Sequence, residues 1–293
     1  MMYLFFYSGE IPKYVGLTLN NILNIDKDAD IYLATDQKIE SKNINILNIQ
    51  QTDLVGKLND LSKNFEELNI KSESNPLWVT SLLRIYALKE LKNYFNIDSF
   101  VHFDTDVIIY KSFNDISKKY NFDNSKISIT QNDLMNLVFG YSFFPTKESV
   151  DDLVNKLDKN LSEIKNLQNI YARGGEIPEM RHLGILNLMY QDMFSILPTL
   201  PYESAGIIFD PAGYGQFLNG THLKRGNYIF KRRWISMNHI VGSELKSKRI
   251  QCKFNEKPYV IHEGKKSELA NLHIHSKNIS KFLPKNQKNY ITL

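Results

Sequence analysis

Two aspartates separated by one residue are the feature of this sequence best suited to chemistry. Asp104 and Asp106 stand in FVHFDTDVIIY, where an apolar run predicts a buried strand that ends at the first aspartate. In open α/β sheets, ligands bind outside the carboxyl ends of the strands. Two carboxylates at such a place offer the oxygen ligands that Mg²⁺ and Mn²⁺ accept, and the ion could neutralise a phosphate-containing leaving group. A pair of solvated turn aspartates is the alternative that the triplet alone leaves open.

A second candidate lies near the C-terminus, in NLHIHSKNISKF. His273 and His275 alternate on a strand-like stretch, so we expect them to share a face. Neutral imidazole is a good ligand for transition metals, and Lys277 could reach phosphate oxygens. Two histidines on a closing strand, without a ligand, are the alternative reading of this segment.

The elements that must position these residues follow an alternating pattern. Apolar runs at 1–7, 28–36 and 43–49 predict strands, and a helix is predicted from Pro12 to about Asn24. This alternation indicates an α/β protein with a mainly parallel sheet. The clearest helix is 78–95, just before the aspartates, because its apolar residues recur at steps of three or four. These residues are Trp78, Leu82, Ile85, Leu88, Leu91 and Phe95.

The second half of the chain is less regular. KISITQ and LVFGYSFFP predict two strands, 147–170 predicts one amphipathic helix, and ARGGEIPEM predicts a loop that enters a helix near Glu179. Beyond residue 194, short apolar runs alternate with turn residues, so we expect an irregular C-terminal third. The composition changes little along the chain, which favours a single domain.

The composition is that of an ordinary folded protein. Of the 293 residues, 42% are apolar and 12% are aromatic, which excludes an intrinsically disordered chain. A net charge of +4 suits an anionic partner but, without a basic stripe, argues against nucleic-acid binding. The one cysteine, Cys252, excludes an internal disulfide and a multi-cysteine metal site. The sequence shows neither a signal peptide nor about 20 consecutive apolar residues, so we expect a cytoplasmic protein with at most peripheral membrane contact.

Four segments, in this order, resemble nucleotide-sugar-dependent glycosyltransferases with the glycosyltransferase-A fold, and most closely a group found in bacteria and large DNA viruses. The segments are SNPLWVTSLLRIYALKEL, VHFDTDVIIYKSF, FDPAGYGQFLNGTH and NLHIHSKNISKF. The resemblance implies a Rossmann-like, mainly parallel central sheet flanked by helices, over roughly residues 1–285. It further implies one domain with a nucleotide-binding half at 1–110, an acceptor-binding and metal-completing half at 111–285, and a tail at 286–293.

The resemblance also implies roles for individual residues. Asp104 and Asp106 match the Asp-x-Asp signature that binds the metal and the nucleotide, His275 looks like the histidine that completes the metal site, and His273 is its alternate. Lys277 would contact the diphosphate. Arg84 would approach the diphosphate or support Asp104 by an ion pair. The other matching positions would line the nucleotide, donor-sugar or acceptor pockets, and they are Tyr7, Ser8, Gly9, Asp210, Gly215 and Gln216.

Three acids are candidates for catalysis. Glu179 stands where the family often has an acid next to methionine, and Asp192, in MYQDMF, is its competitor. Asp210 belongs to the segment that resembles the sugar-binding motif. For Glu179 and Asp192 the alternative is an acid on a helix surface or at a helix N-terminus.

The function that the resemblance implies is metal-dependent sugar transfer in polysaccharide biosynthesis. The donor would be a UDP- or GDP-sugar with Mn²⁺ or Mg²⁺, and the acceptor a glycan, a lipid-linked sugar or a glycoprotein. A phosphatase of the haloacid-dehalogenase type is one alternative, because FDTDVI nearly matches its signature; the sequence lacks the downstream Gly-Asp pair of that class. A binding protein with an inactive site is the other alternative, and the intact Asp104, Asp106 and His275 argue against it.

Overall fold

The structure, a computed structural model, describes residues 1–67, 77–204, 206–220 and 238–284. The predicted tail at 286–293 and residues 68–76, which precede the predicted 78–95 helix, lie outside these residues. Within the described part, no helix combines the length and the apolar composition needed to cross a bilayer.

A seven-stranded mixed sheet forms the centre of the molecule, in the order β3-β2-β1-β4-β7-β6-β8. The first four strands in this order are parallel, β7 is antiparallel to both of its neighbours, and β8 is parallel to β6. The α/β class and the mainly parallel sheet are therefore confirmed. The strands up to β8 are β1 (Met2–Tyr7), β2 (Asp30–Thr35), β3 (Asn45–Asn48), β4 (Phe100–His102), β5 (Val107–Ile109), β6 (Ile127–Asp133), β7 (Asn136–Phe144) and β8 (Phe194–Ile196).

Helices cover both faces of this sheet. The helices of the described part are α1 (Lys13–Ile25), α2 (Leu54–Glu67), α3 (Leu77–Phe95), α4 (Phe113–Ser117), α5 (Lys147–Ser162), α6 (Ile164–Ala172), α7 (Glu179–Met189), α8 (Gly213–Asn219) and α9 (Ile240–Lys246). Of these, α8 and α9 pack in a separate core in the C-terminal third. Alternate residues of β1 enter different cores: Leu4 and Phe6 pack with α3 and α5, whereas Tyr3 and Phe5 pack with α1. The first strand therefore reads as a continuous apolar run, because both of its faces are buried.

The predicted helix at 147–170 is two helices, with a break at Glu163, whose backbone leaves the helical conformation (φ −107°, ψ 16°). The apolar face of α5 packs in the core beside α3, whereas Leu167 of α6 packs in a separate cluster with Ile177 and Ile185. A single straight helix cannot place its apolar face on both clusters, so the chain bends between them.

The described part of the C-terminal third consists of short strands and short helices joined by turns. A second sheet has the order β10-β11-β12-β9, formed by β9 (Ile207–Ile208), β10 (Gln251–Phe254), β11 (Pro258–His262) and β12 (Lys265–Leu269). Glu263 and Gly264 both have positive φ between β11 and β12, which is the conformation of a two-residue hairpin turn. The last strand, β13 (Asn271–His273), pairs antiparallel with β5. The division of the chain at residue 110 into two functional halves stays a prediction.

Asn271 links these parts by buried hydrogen bonds. Its Nδ2 donates to the carbonyls of Gly140, on β7, and of Asp210, at 2.9 and 3.0 Å, and its Oδ1 accepts from the amide of Asp210 at 3.0 Å. The side chain is fully buried. It therefore holds β13, β7 and the segment after β9 at fixed distances from one another.

Replacing Asn271 by leucine should destabilise the fold strongly. Asn271→Leu leaves an amide and two carbonyls buried without their partner, at a cost of roughly 2–4 kcal/mol in the free energy of unfolding. Urea unfolding measures this cost, with Asn255→Leu at an exposed turn as the matched control. Equal stability of the two variants would contradict the linking role.

Candidate functional site

A cleft of about 380 Å³ opens at the carboxyl ends of β1 and β4. Its volume is within the range of small-molecule sites. The walls come from the ends of β1 and β4, from α3, α7 and α8, and from the chain after β13. The lining residues are Phe6, Tyr7, Ser8, Tyr14, Thr80, Ser81, Arg84, Asp104, Thr105, Asp106, Asn132, Val138, Phe139, Glu179, Met180, Pro211, Ala212, Gln216, His273, His275 and Lys277.

The two aspartates lie between strands rather than within one. The chain leaves the central sheet after His102 and continues as β5, which pairs with β13 instead. The amide of Asp104 donates to the carbonyl of Phe139 at 2.8 Å, and the carbonyl of Asp106 accepts from the amide of Ile274 at 2.8 Å. Backbone bonds to two different sheets therefore hold the two carboxylates at the floor of the cleft.

His273 meets both carboxylates. Its Nε2 lies 3.4 Å from Asp104 Oδ2 and 3.1 Å from Asp106 Oδ1. Its Nδ1 lies 3.0 Å from the carbonyl oxygen of Pro211, so Nδ1–H donates there and Nε2 is directed at the carboxylates. In the described ranges, the ligand atoms of Asp104, Asp106 and His273 all lie within 4.8 Å of one another. Two carboxylates and one imidazole are a set of ligands that one divalent cation can accept.

In this cluster, neighbouring charges oppose the effect of burial on ionisation. Burial lowers the pKa of His273, but the charges of Asp106 and Asp104 outweigh burial and raise it to about 9. Burial raises the pKa of Asp106, and His273 and Lys277 outweigh that effect and hold it well below its usual range. Asp106 therefore stays ionised, although its side chain is almost fully buried.

The structure brings His273, the alternate of the two predicted histidines, against the carboxylates, and the choice of His275 as the metal ligand stays a prediction. His275 lines the cleft and its ring lies 5.4 Å from the ring of His273, yet it does not belong to the three-residue set formed by the described residues. The pairing of His273 with Val107 places His273 beside Asp106. The strand ends at His273, so His275 follows in the loop.

Arg84 joins the segment between β4 and β5 to the start of α7. Its Nη1 contacts Asp104 Oδ1, and its Nη2 donates to Glu179 Oε1 and Oε2 at 2.8 and 2.6 Å. Burial raises the pKa of Glu179 to about 7, and Arg84 opposes this rise. Because both oxygens of Glu179 accept from one guanidinium nitrogen, Glu179 is placed to position Arg84. A direct catalytic role for Glu179 stays a prediction.

Asp210 lies beneath the cleft rather than in its lining. It is fully buried; its Oδ1 accepts from the amide of Tyr214 at 2.9 Å, and its Oδ2 accepts from the amides of Gly215 and His273 at 2.8 and 3.0 Å. A Cβ added at Gly215 would lie 1.9 Å from the carbonyl oxygen of His273, so this position requires glycine. Both residues thereby fix His273 against α8, and a catalytic role for Asp210 stays a prediction.

Asp192 is remote from the cleft. Its side chain is 97% exposed and pairs with Lys126 at 2.9 Å. It follows the C-terminal end of α7, whereas Glu179 begins that helix at the cleft. Eleven helical residues span roughly 16 Å, which separates the two competing acids.

Two amide side chains in the lining have an unpaired oxygen. Gln216 Oε1 and Asn132 Oδ1 are buried and have no hydrogen-bond partner among the residues that the structure describes. Gln216 was predicted from its motif, but Asn132, on β6, was not. The only signal for Asn132 in the sequence is the alternation of side chains along β6, which places Asn132 on the same face of the strand as Thr130.

The other end of the cleft lies at the end of β1. Tyr7 and Ser8 line it, while the Gly9 amide and the Ser8 hydroxyl donate to Asp36, both at 2.9 Å. Gly9 has φ of +92°, which favours glycine. Sequence reasoning missed Asp36 and also Tyr14, whose ring lies beside Tyr7 and 5.3 Å from Lys277 Nζ. Lys277 Nζ contacts Asp106 Oδ2.

Comparison with known proteins finds no matching family model and no matching curated protein. Similar solved structures are glycosyltransferases. The apo form of mouse xyloside xylosyltransferase 1 is 10% identical over 67% of this chain and 84% of its own, with a TM-score of 0.48. The galactosyltransferase LgtC, in complex with donor and acceptor sugar analogues, is 11% identical over 69% and 76%, with a TM-score of 0.43. GlyE of Streptococcus pneumoniae TIGR4 is 10% identical over 67% and 45%, with a TM-score of 0.38. At these values the likeness carries no argument about residue roles, which must come from the cleft.

The two histidines should differ in their effect on metal affinity. His273→Ala removes the imidazole beside both carboxylates, so we expect the Kd for Mn²⁺, measured with UDP or GDP present, to rise at least about 10-fold. His275→Ala is the matched control, and we expect its Kd to change less than about threefold. A larger effect for His275→Ala would restore the order predicted from the sequence.

Proposed function

We propose that this chain is a metal-dependent glycosyltransferase, which moves a sugar from a nucleotide-diphospho-sugar to a hydroxyl group of a glycan or glycolipid. The observation that carries this proposal is the group of Asp104, Asp106 and His273 in one cleft with Lys277 and Arg84. A nucleoside diphosphate leaves such a donor with growing negative charge. Groups that stabilise developing charge are usually the largest single contribution to catalysis.

The residues present fit a divalent cation. Asp104, Asp106 and His273 would hold it, and an imidazole beside two carboxylates favours Mn²⁺ over Mg²⁺. When bound, the ion would neutralise charge on the diphosphate. The burial of Asp106 supports this assignment, because a buried carboxylate requires positive charge nearby.

The chain's own residues would bind the rest of the donor. Tyr7 and Tyr14 present aromatic rings at the end of β1, where a uracil or guanine base can stack, and Ser8 lines the same end. Gln216 and Asn132 would accept hydrogen bonds from sugar hydroxyls with their unpaired oxygens. Glu179 would act through Arg84, by holding its guanidinium against Asp104.

A donor-hydrolysis screen tests the proposal. Incubation with several UDP- and GDP-sugars should release nucleoside diphosphate from at least one of them with Mn²⁺, and EDTA should abolish the release. Undiminished activity in EDTA would contradict the metal assignment. Phosphate release from aryl phosphates, without turnover of any nucleotide-sugar, would favour the phosphatase alternative instead.

Asp106→Asn should lower turnover by about 10²–10³, the scale of losing one charge-stabilising group. The variant should still fold, because asparagine has nearly the same shape as aspartate. Asp152→Asn, on the exposed side of α5, is the matched control and should leave turnover unchanged. A loss below about threefold for Asp106→Asn would exclude Asp106 from the metal site.

Substitutions of Gln216 and Asn132 should lower activity without lowering stability. Gln216→Met and Asn132→Leu remove a buried oxygen that has no partner among the described residues, so the free energy of unfolding should stay equal or rise. The value of kcat/KM should fall about 10- to 100-fold, because the sugar hydroxyl loses its acceptor. Gln251→Met, exposed on β10, serves as the control for both measurements. A fall in stability with unchanged kcat/KM would assign both amides to the fold.

A further inference from the structure

The four carboxylate oxygens at the floor of the cleft already face basic groups of the chain. Arg84 contacts Asp104 Oδ1, and Lys277 contacts Asp106 Oδ2. His273 lies against the two remaining oxygens. A divalent cation at this site must therefore compete with charges that the protein itself supplies.

Arg84 and Lys277 differ in how firmly they are held. The side chain of Arg84 is 16% exposed, and Glu179 anchors it from the other side at 2.6 Å. The side chain of Lys277 is 35% exposed. A lysine ammonium is a mobile point charge on a flexible four-carbon stem, whereas a guanidinium is a rigid fork held by several bonds. Lys277 is thus the cation that can leave.

The backbone that carries Lys277 is fixed, so the exchange would involve the side chain alone. The amide of Lys277 donates to the carbonyl of Ile274 at 2.8 Å. The hydroxyl of the preceding residue, Ser276, accepts from Asn219 Nδ2 of α8 at 2.6 Å. From this anchored point the ammonium lies between Asp106 and the ring of Tyr14, 5.3 Å from the ring centroid.

We propose that Lys277 is an exchangeable internal counter-ion. In the ligand-free cleft it neutralises Asp106; a divalent cation displaces it, and its ammonium then binds the diphosphate of the nucleotide. This inference rests on the proposed function, and it adds an order in which the metal displaces Lys277 from Asp106 before Lys277 binds the diphosphate. Because the lysine leaves Asp106 more readily when a diphosphate receives it, metal and nucleotide must strengthen each other's binding by the same factor.

The experiment measures Mn²⁺ alone, by electron paramagnetic resonance of the free ion, and UDP and GDP with Mn²⁺, by calorimetry. Lys277→Met should bind Mn²⁺ without nucleotide about 5- to 10-fold more tightly than the unchanged protein, and the better-bound nucleotide about as much more weakly. The factor by which the nucleotide strengthens Mn²⁺ binding should therefore fall. Lys277→Gln provides a second side chain if methionine disturbs folding.

Two controls separate this inference from the proposed function. Lys281→Met removes the same charge from an exposed position four residues away and should leave both affinities unchanged. Asp106→Asn should abolish Mn²⁺ binding in either background. If neither the unchanged protein nor any variant binds Mn²⁺, with or without nucleotide, the metal site and the exchange are both contradicted. If the unchanged protein binds Mn²⁺ and Lys277→Met binds it equally or more weakly, the metal site stands and the counter-ion is overturned.

Discussion

The negative charge of Asp106 is the constraint on which the site depends. The residue is only 2% exposed, and a buried carboxylate without positive charge or donors nearby would destabilise the fold. Lys277 and His273 form ion pairs with Asp106, and both lie in or just after β13. The pairing of β5 with β13 is what brings them there. The two-stranded pair of β5 and β13 therefore serves the site directly, because without it Asp106 would lack its counter-charges.

A second layer of buried polar contacts holds the histidine in place. The carboxylate of Asp210 accepts a hydrogen bond from the backbone amide of His273, and the side-chain oxygen of Asn271 accepts one from the backbone amide of Asp210. Because Gly215 has no side chain, α8 can lie against the carbonyl oxygen of His273. These residues do not line the cleft. Their effect is to limit how far the imidazole can move relative to the carboxylates, and a site that binds a metal needs such limits.

Sequence reasoning found much of the fold because the relevant signals are local. The apolar run of β1, the periodicity of α3 and the Asp-x-Asp triplet each lie within a few residues. The order of the two histidines could not be found this way, because it depends on the register of β13 against a strand more than 160 residues earlier. Asn132 was missed for the same reason, since its burial depends on elements far from it in the chain. The distance of Asp192 from the cleft could not be predicted either, because its local sequence does not show the direction in which α7 runs.

The break between β4 and β5 has a consequence for how the protein comes to be folded. Asp106 is synthesised well before β13, so its basic partners His273 and Lys277 arrive late, whereas Arg84, the partner of Asp104, precedes both aspartates. Contacts of such long sequence separation form slowly, since a long loop must close before they contribute stability. Until β13 is in place, the charge of Asp106 has water as its partner rather than His273 and Lys277. For this topology the cleft is completed only once β13 has paired with β5.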